Sequence, residues 1–331
     1  MVHAAVYGAR GYLGRTLIQL LVDHPSVDTI SPVSTTAAGR PYGSEVPSLG
    51  HLDQLTFVEP GAGEATQADV YFLATDSDQA EATMAELAAS TEIDLLIDLS
   101  RAHRSTALDG GPWSYVLEEL DGALPADTPL VANPGCYPTA TLLALGPALL
   151  GGLAGSGALV VDGKSGVSGA GATPRVDLHF PEANESLRAY NIEEHDHEAE
   201  IQAATEALDP TSDKLTVRFT PHLVPQTRGL LSTAYLPLKE GTTQEDVEAL
   251  YGKVYAEEPF IQVVDEPDTA HVKGSNRAQV AALVDQDAGL LVARGAIDNL
   301  VKGGAGNAVQ TMNQALGLAP DAGLPKAGVA P

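Results

Sequence analysis

The sequence has little of what defines several large classes of protein. With one cysteine, Cys136, it cannot form an internal disulfide or a thiolate metal cage, which fits a reducing compartment. Its 18 lysines and arginines against 44 aspartates and glutamates give a net charge of −26, without the basic surface that nucleic acid requires. No apolar run approaches the roughly 18 residues of a membrane span, and no basic leader precedes the first apolar segment. We therefore expect a cytoplasmic protein that binds neither nucleic acid nor membrane.

The length of 331 residues favours two domains. In the first part of the chain, up to residue 135, short apolar runs of the buried parallel-strand type alternate with helical segments, an α/β pattern. The later predicted strands are longer, and we expect an α+β domain with a mostly antiparallel sheet over residues 136–301. A C-terminal helix within 302–331 is expected to pack back on the first domain. Thr242 and Glu245 are predicted to form a capping box in the second domain.

The first predicted strand leads through a glycine turn into a helix. Gly8, Gly11 and Gly14 fit G-x-x-G-x-x-G, a variant of the dinucleotide fingerprint. Such glycines let the backbone approach a pyrophosphate at a helix N-terminus, so we predict a Rossmann-type dinucleotide-binding domain. A tight turn without a ligand is the alternative. The turn residues expected at the cofactor are Gly8, Arg10, Gly11, Tyr12, Leu13 and Gly14.

The end of the second predicted strand indicates which dinucleotide is bound. NAD-specific proteins usually have an acidic residue there for the ribose hydroxyls. This chain instead has the hydroxyl residues Ser34, Thr35 and Thr36, followed by Arg40. Hydroxyl donors and a cation suit a 2′-phosphate, so we predict NADP as the cofactor.

Cys136 lies between an Asn-Pro-Gly turn and the predicted start of a helix. Pro138 suits the first turn of that helix, which places the sulfur at the positive end of the helix dipole. Such a position stabilises a thiolate and lowers its pKa below the free value of about 8.5. Amide groups there can also hold the oxyanion of an attached carbonyl. An inert core cysteine is the alternative, but we interpret Cys136 as a nucleophile.

A thiol nucleophile requires a base, and nine histidines are available. His195 and His197 stand close together in the polar segment "EEHDHEAE". A metal pair is the rival interpretation, but an i, i+2 spacing does not suit one metal on a helix, and no third ligand cluster is evident, so no metal is predicted. His222, in "FTPHLVP", fits either a base or a core histidine at the end of a strand.

Several segments together resemble the N-acetyl-γ-glutamyl-phosphate reductases, the arginine-pathway branch of the aspartate-semialdehyde dehydrogenase-like family. They run in family order over nearly the whole chain, and the three most specific are "NPGCYPTA", "KSGVSGAG" and "AIDNLVKGGAGNAVQ". The resemblance implies that Cys136 attacks an acyl phosphate and forms a thioester, which NADPH reduces to a semialdehyde. It also implies acid/base catalysis by His195, with His197 as second candidate, and a homodimer or homotetramer.

The resemblance also implies a set of binding residues. For the cofactor these are Ser165, Gly166 and Asn307 besides the turn residues above. For the phosphate and carboxylate of the substrate, local cations would offset the negative overall charge. The substrate-contact candidates are Arg104, Asn133, Ser168, Arg188, His197, His222 and Arg228, with Lys164 as a possible helper.

Some segments depart from the family pattern. The chain has "ATDSD" where the family has "ALPHG", and "WSYVLEELDG" where the family has "YGLPE". Two alternatives therefore remain: the equivalent reductase for an N-blocked, possibly carrier-linked, aminoadipyl phosphate in lysine biosynthesis, and a nucleotide-binding scaffold without turnover.

Overall fold

The computed structural model describes residues 1–122, 124, 128–210 and 215–329. Within these ranges the strands are β1 (Val2–Tyr7), β2 (Val27–Val33), β3 (Val70–Leu73), β4 (Leu96–Asp98), β5 (Ser114–Tyr115), β6 (Leu130–Ala132), β7 (Gly157–Gly166), β8 (Arg188–Ala189), β9 (Leu215–Val224), β10 (Leu230–Pro237), β11 (Ile261–Val263), β12 (Ala278–Asp285) and β13 (Leu290–Ile297).

The α-helices in the same ranges are α1 (Tyr12–Val22), α2 (Tyr42–Glu45), α3 (Gly63–Thr66), α4 (Ser77–Ser90), α5 (Arg104–Leu108), α6 (Glu118–Asp121), α7 (Cys136–Leu150), α8 (Phe180–Ala183), α9 (Asp196–Leu208), α10 (Gln244–Val254), α11 (Thr269–Val272) and α12 (Gly306–Ala315). Short 3₁₀ turns occur at Pro47–Leu52, Val167–Ala170 and Val176–Leu178, and a π-helical turn at Val301–Ala305. No helix in the described part of the chain combines the length and apolar character that a membrane crossing requires.

The chain forms two compact units. The first contains the described residues of Met1–Val116, Ala123–Pro134 and Gly304–Leu324. The second contains those of Leu117–Gly122, Gly135–Gly303 and Pro325–Pro331. Residues 330 and 331, the end of the C-terminal segment 302–331 considered above, lie outside the described residues.

The first unit is built on a six-stranded parallel sheet in the order β2-β1-β3-β4-β6-β5. All four residues of β3 are buried, as expected for a parallel strand covered on both faces. Helix α12 packs on α1, and His24, just after α1, bonds to Asn313 through Nε2 and Oδ1 at 2.9 Å. The predicted α/β, Rossmann-like architecture is confirmed for this unit.

The second unit contains a seven-stranded sheet in the order β11-β12-β13-β10-β7-β9-β8. The expectation of a mostly antiparallel sheet is wrong, because the sheet is mixed. Strands β7 and β9 pair in parallel over ten residues, and β11 and β12 also run parallel. The alternating burial of β9 explains the error: a half-exposed parallel strand has the same period-two pattern as an antiparallel one.

Helix α9 is held against the free part of strand β9 by side-chain hydrogen bonds. Glu198 Oε2 accepts from the Phe219 amide at 2.8 Å, and Gln202 Oε1 accepts from the Val217 amide at 2.8 Å. Glu198 and Gln202 are four residues apart and therefore lie on one face of the helix. These bonds satisfy strand amides that β8 does not reach, and they fix the N-terminus of α9, where His195 lies.

The capping box of α10 is one residue later than predicted. Thr243, not Thr242, is the N-cap, and its partner is Asp246 rather than Glu245. Both pairs have the required three-residue spacing. The Thr242 hydroxyl instead donates to the Lys239 carbonyl at 2.8 Å in the preceding turn, so the turn geometry selects the later threonine.

Candidate active site

Cys136 is the first residue of α7, and Gly135 is its N-cap. The first intrahelical bond runs from the Thr139 amide to the Gly135 carbonyl at 2.9 Å, so the helix itself does not use the amides of Cys136 and Tyr137. Cys136 is in no disulfide and is partly exposed. The sulfur-bearing residue therefore lies at the positive end of a fifteen-residue helix, as the sequence predicts.

Aromatic rings and two imidazoles surround the start of α7. The Tyr137 ring centroid lies 6.0 Å from that of His195 and 5.7 Å from that of His197. The two imidazoles are 4.8 Å apart. Tyr190 and Phe219 complete the group, at 5.6 and 5.2 Å from His195. The structure thus brings both predicted histidines next to the residue that follows the cysteine.

His195 is the N-cap of α9, and its Nδ1 accepts a hydrogen bond from the His197 amide at 3.2 Å. Because Nδ1 is the acceptor, the neutral ring carries its proton on Nε2. The cap also fixes the direction of the ring. Nε2 is therefore the ring nitrogen of His195 that is left to exchange a proton with a bound group.

Glu200 links the cysteine turn to the histidine pair, and sequence reasoning missed it. This buried carboxylate accepts from the Gly135 amide at 2.8 Å through Oε1, and its Oε2 lies 3.9 Å from His197 Nε2. His197 and Glu200 are three residues apart on α9 and share a face. The H-x-x-E spacing was the available signal.

Tyr137 and Tyr190 keep neutral hydroxyls beside the cysteine. Burial is the main cause that raises the pKa of both phenols, and a negative charge on Cys136 raises them further. The two side chains also hydrogen bond to each other, and the Tyr137 hydroxyl donates to the His222 carbonyl at 2.9 Å. Cys136 is therefore electrostatically coupled to two hydroxyl groups that remain protonated.

In the first unit, the glycine turn opens onto a cavity of about 450 Å³. Gly8 has a φ of +77°, and a Cβ there would lie 2.5 Å from the Ala74 carbonyl oxygen, so only glycine fits. A side chain at Gly14 would meet the Gly8 carbonyl, so this glycine lets α1 approach the turn. Of the predicted cofactor residues, those lining the cavity are Gly8, Arg10, Gly11, Ser34, Thr35 and Thr36.

The cationic end of this cavity is organised by Glu45, which sequence reasoning missed. Arg10 donates to the Thr36 hydroxyl at 2.9 Å and pairs with Glu45 at 3.1 Å. Arg40 pairs with the same carboxylate at 2.8 Å, and this hydrogen bond is the main cause that lowers the pKa of Glu45. Arg40, Tyr12, Leu13 and Gly14 are not among the residues that line the cavity.

The arginines expected at the substrate all have protein partners. Arg104, buried in the first unit, donates to the carbonyls of Asn133 at 2.9 Å and Leu99 at 3.0 Å. In the second unit, Arg188 pairs with Asp177 at 2.7 Å, and Arg228 lies 3.6 Å from the buried Asp298. Their contact with substrate stays a prediction.

The remaining predicted residues are distributed over both units. In the first unit, Asn307 donates to the Asn133 side chain at 3.0 Å. In the second, Ser168 accepts from Asn299 at 3.0 Å, and the Ser165 hydroxyl donates to the Gly166 carbonyl at 3.1 Å.

Two further candidates lie on neighbouring strands of the second unit. His222, on β9, has Nδ1 3.1 Å from the Thr220 carbonyl and is in register with Lys164 on β7. Burial is the main cause that lowers the pKa of Lys164, whose ammonium donates to the Asp162 carbonyl. Within the described residues no group of three or more histidine, cysteine or acidic side chains could hold a metal ion.

Comparison with known proteins places the chain among reductases. Residues 3–131 match the semialdehyde dehydrogenase NAD-binding domain, and residues 136–299 match the semialdehyde dehydrogenase dimerisation domain. N-acetyl-γ-glutamyl-phosphate reductases from Heliobacterium modesticaldum and Pseudomonas syringae are each 38% identical over 100% of both chains. The enzyme of that name from Methanocella arvoryzae is 35% identical over the same share. The chain belongs to this reductase family.

Solved structures give the same fold for the family. Aspartate semialdehyde dehydrogenase II from Vibrio cholerae superposes with a TM-score of 0.75 at 16% identity, covering 96% of this chain and 98% of that one. The Candida albicans aspartate semialdehyde dehydrogenase, solved with NADP, gives 0.68 at 15% identity, covering 95% and 99%. Family membership establishes an oxidoreductase with a nicotinamide-dinucleotide-binding domain and a small-molecule substrate, and its dimerisation domain indicates an oligomer.

Proposed function

We propose that this protein reduces N-acetyl-γ-glutamyl phosphate to N-acetylglutamate semialdehyde with NADPH in arginine biosynthesis. The observation that carries the proposal is the position of Cys136, which lies at the start of α7 beside two neutral tyrosines and a histidine pair. Full-length identity of 38% to reductases of this name supports the same substrate.

In the first step Cys136 acts as the nucleophile. Its thiolate attacks the γ-carbonyl carbon, the C–O bond to phosphate breaks, and inorganic phosphate leaves with the bonding pair. The product is a thioester on Cys136. The positive end of α7 stabilises the thiolate, and the first-turn amides are suitable donors to the oxyanion formed during attack.

In the second step the thioester carbonyl is reduced. When bound, NADPH supplies the hydride, and the cavity lined by Gly8, Arg10 and Thr36 has the backbone approach and cationic end that this dinucleotide requires. In its imidazolium form, His195 donates the Nε2 proton to the oxygen that becomes negative when hydride adds, which gives the hemithioacetal. Neutral His195 takes the hydroxyl proton back while the C–S bond breaks with its electron pair going to sulfur, which releases the semialdehyde and returns the thiolate.

Cofactor selectivity provides a test of the cationic end of the cavity. Arg10→Ala removes the guanidinium that holds both Thr36 and Glu45, so we expect the KM for NADPH to rise roughly tenfold or more and that for NADH to change little. Steady-state kinetics with both cofactors measures this. The assignment of Arg10 to the 2′-phosphate is contradicted if the KM for NADH rises as much as the KM for NADPH. It is also contradicted if the wild type has a lower KM for NADH than for NADPH.

A substrate panel tests the reaction itself. Purified protein is assayed in the oxidative direction with the semialdehydes of N-acetylglutamate and N-acetylaminoadipate, with and without phosphate. The proposal expects phosphate-dependent NADPH formation, with the higher kcat/KM for the glutamate compound. Preference for the aminoadipate compound would assign the enzyme to lysine biosynthesis, and no turnover with either would leave a nucleotide-binding scaffold.

The proposal extends to organisation and cellular location. We assign cofactor binding to residues 1–135, completed by the C-terminal helix within 302–331, and catalysis to residues 136–301. The enzyme is a homodimer or homotetramer in the cytoplasm. A match of residues 136–299 to a dimerisation domain supports assembly through the second unit.

A further inference from the structure

Glu119 and Lys302 form an ion pair inside the second unit, 183 positions apart in the sequence. Lys302 Nζ lies 2.5 Å from Glu119 Oε1, and neither side chain is exposed to solvent. The ammonium also lies 5.9 Å from the centre of the Phe260 ring. Lysine and glutamate are seldom buried to this degree, so the pair requires an explanation.

Lys302 belongs to the π-helical turn Val301–Ala305. Asp298 anchors the start of this turn: its Oδ1 accepts from the Leu300 amide at 2.8 Å and the Val301 amide at 3.1 Å. The Gly303 amide donates to the Asp298 carbonyl, five residues back, at 3.0 Å. Single π turns are rare and are frequently found at functional sites.

Gly303, the residue after Lys302, lies directly against the nucleophile. A Cβ at Gly303 would come within 2.8 Å of the Cys136 Cβ and 3.2 Å of its Cα. The backbone of the π turn therefore packs on Cys136 with no room for a side chain between them. If the π turn moved, Cys136 would lose the backbone contact with Gly303 that fixes its position.

Glu119 is anchored to the helix that carries Cys136. It belongs to the one-turn helix α6, and the neighbouring Leu120 packs on Gly146 of α7, where an added Cβ would overlap the leucine side chain. The ion pair therefore connects α6, which packs on α7, to the π turn, which packs on Cys136 at the start of α7. The elements that carry Glu119 and Lys302 thus both contact α7.

We propose that the Glu119–Lys302 pair is a positioning device for the nucleophile, which fixes the π turn against Cys136. This inference rests on the proposed function of Cys136. A buried ion pair usually adds little stability compared with apolar residues of the same volume, so a geometric role is the better explanation of its burial. Neither residue touches the substrate in this account; both act through Gly303 and Cys136.

The test uses Glu119→Gln and Glu119→Asp in the full-length enzyme. Gln keeps the shape but removes the charge, and Asp keeps the charge but shortens the reach by one methylene. Substitution of Lys302 is less informative, because the charges of Glu119 and Lys302 both act on the carboxyl of Glu258. Without the lysine, the carboxyl groups of Glu119 and Glu258 would repel each other, and this second effect would obscure the loss of the ion pair. Thr243→Ala, which removes the α10 capping box, is the control for a general loss of stability.

Three quantities are measured: kcat and KM for the semialdehyde, the alkylation rate of Cys136 by iodoacetamide across neutral pH, and the thermal midpoint. For Glu119→Gln we expect kcat to fall roughly tenfold to a hundredfold with little change in KM, and the pH profile of alkylation to shift. Glu119→Asp should give a smaller change in the same direction. Thr243→Ala should lower only the thermal midpoint.

Suppose that Glu119→Gln has the kcat and the alkylation rate of the wild type and differs only in a lower thermal midpoint. The pair would then be merely structural, and the proposal would be overturned. If the Gln variant does not fold, the same readouts on Glu119→Asp decide. The alkylation arm needs no substrate. It therefore separates failure of this inference from failure of the proposed reaction, which would appear as an inactive wild type.

Discussion

Cys136→Ser is expected to lower phosphate-dependent semialdehyde oxidation by roughly four orders of magnitude or more. Serine has nearly the same size, but its hydroxyl stays protonated at neutral pH, and the helix N-terminus cannot ionise it as it does a thiol. The reaction then has no nucleophile to form the acyl intermediate. Steady-state assays of the purified variant measure the loss.

Two controls make this result specific. The thermal midpoint and NADPH binding of Cys136→Ser should match the wild type, because the cofactor cavity is lined by residues of the first unit. Iodoacetamide should inactivate the wild type rapidly near neutral pH, since a thiolate reacts and a buried structural thiol does not. Substantial turnover in the serine variant would remove Cys136 from the mechanism.

His195→Ala is expected to reduce kcat by roughly two to four orders of magnitude, the usual contribution of a general acid/base. The variant also loses the N-cap of α9, in which His195 Nδ1 accepts from the His197 amide, so stability falls by about 0.5–2 kcal/mol. These two effects must be separated before the activity loss is assigned to proton transfer.

His195→Asn separates them. Asparagine is a good N-cap, so its thermal midpoint should approach that of the wild type, while its amide cannot transfer a proton and kcat should stay as low as in His195→Ala. His197→Ala should be the milder variant, because His197 faces Glu200. If His197→Ala causes the greater loss of kcat, the acid/base role belongs to His197.

Local sequence signals predicted the glycine turn before α1 and the helix start at Cys136. The glycine spacing predicted the turn before α1, and Pro138 predicted the start of α7 at Cys136, because turns and helix ends depend on neighbouring residues. The "HDH" segment likewise drew attention to both imidazoles. Each of these features is determined within a few positions along the chain.

Features that depend on distant residues could not be predicted in this way. Strands β7 and β9 pair in parallel, which requires a long crossover connection between them. Their burial patterns alternate as in an antiparallel sheet and do not indicate this pairing. Glu119 and Lys302 are typical surface residues in sequence, and Glu119 lies in a segment that departs from the family pattern. Only the folded chain reveals that both are buried against each other.

Acyl-enzyme trapping tests the central claim most directly. The wild type is mixed with N-acetylglutamate semialdehyde and NADP without phosphate, and NADPH formation and intact protein mass are followed through one turnover. We predict a burst of about one NADPH per active site. The same sample should show an acyl group on the peptide that contains Cys136, and Cys136→Ser should show neither signal. A burst in the serine variant, or an acyl group on any other residue, would contradict the account.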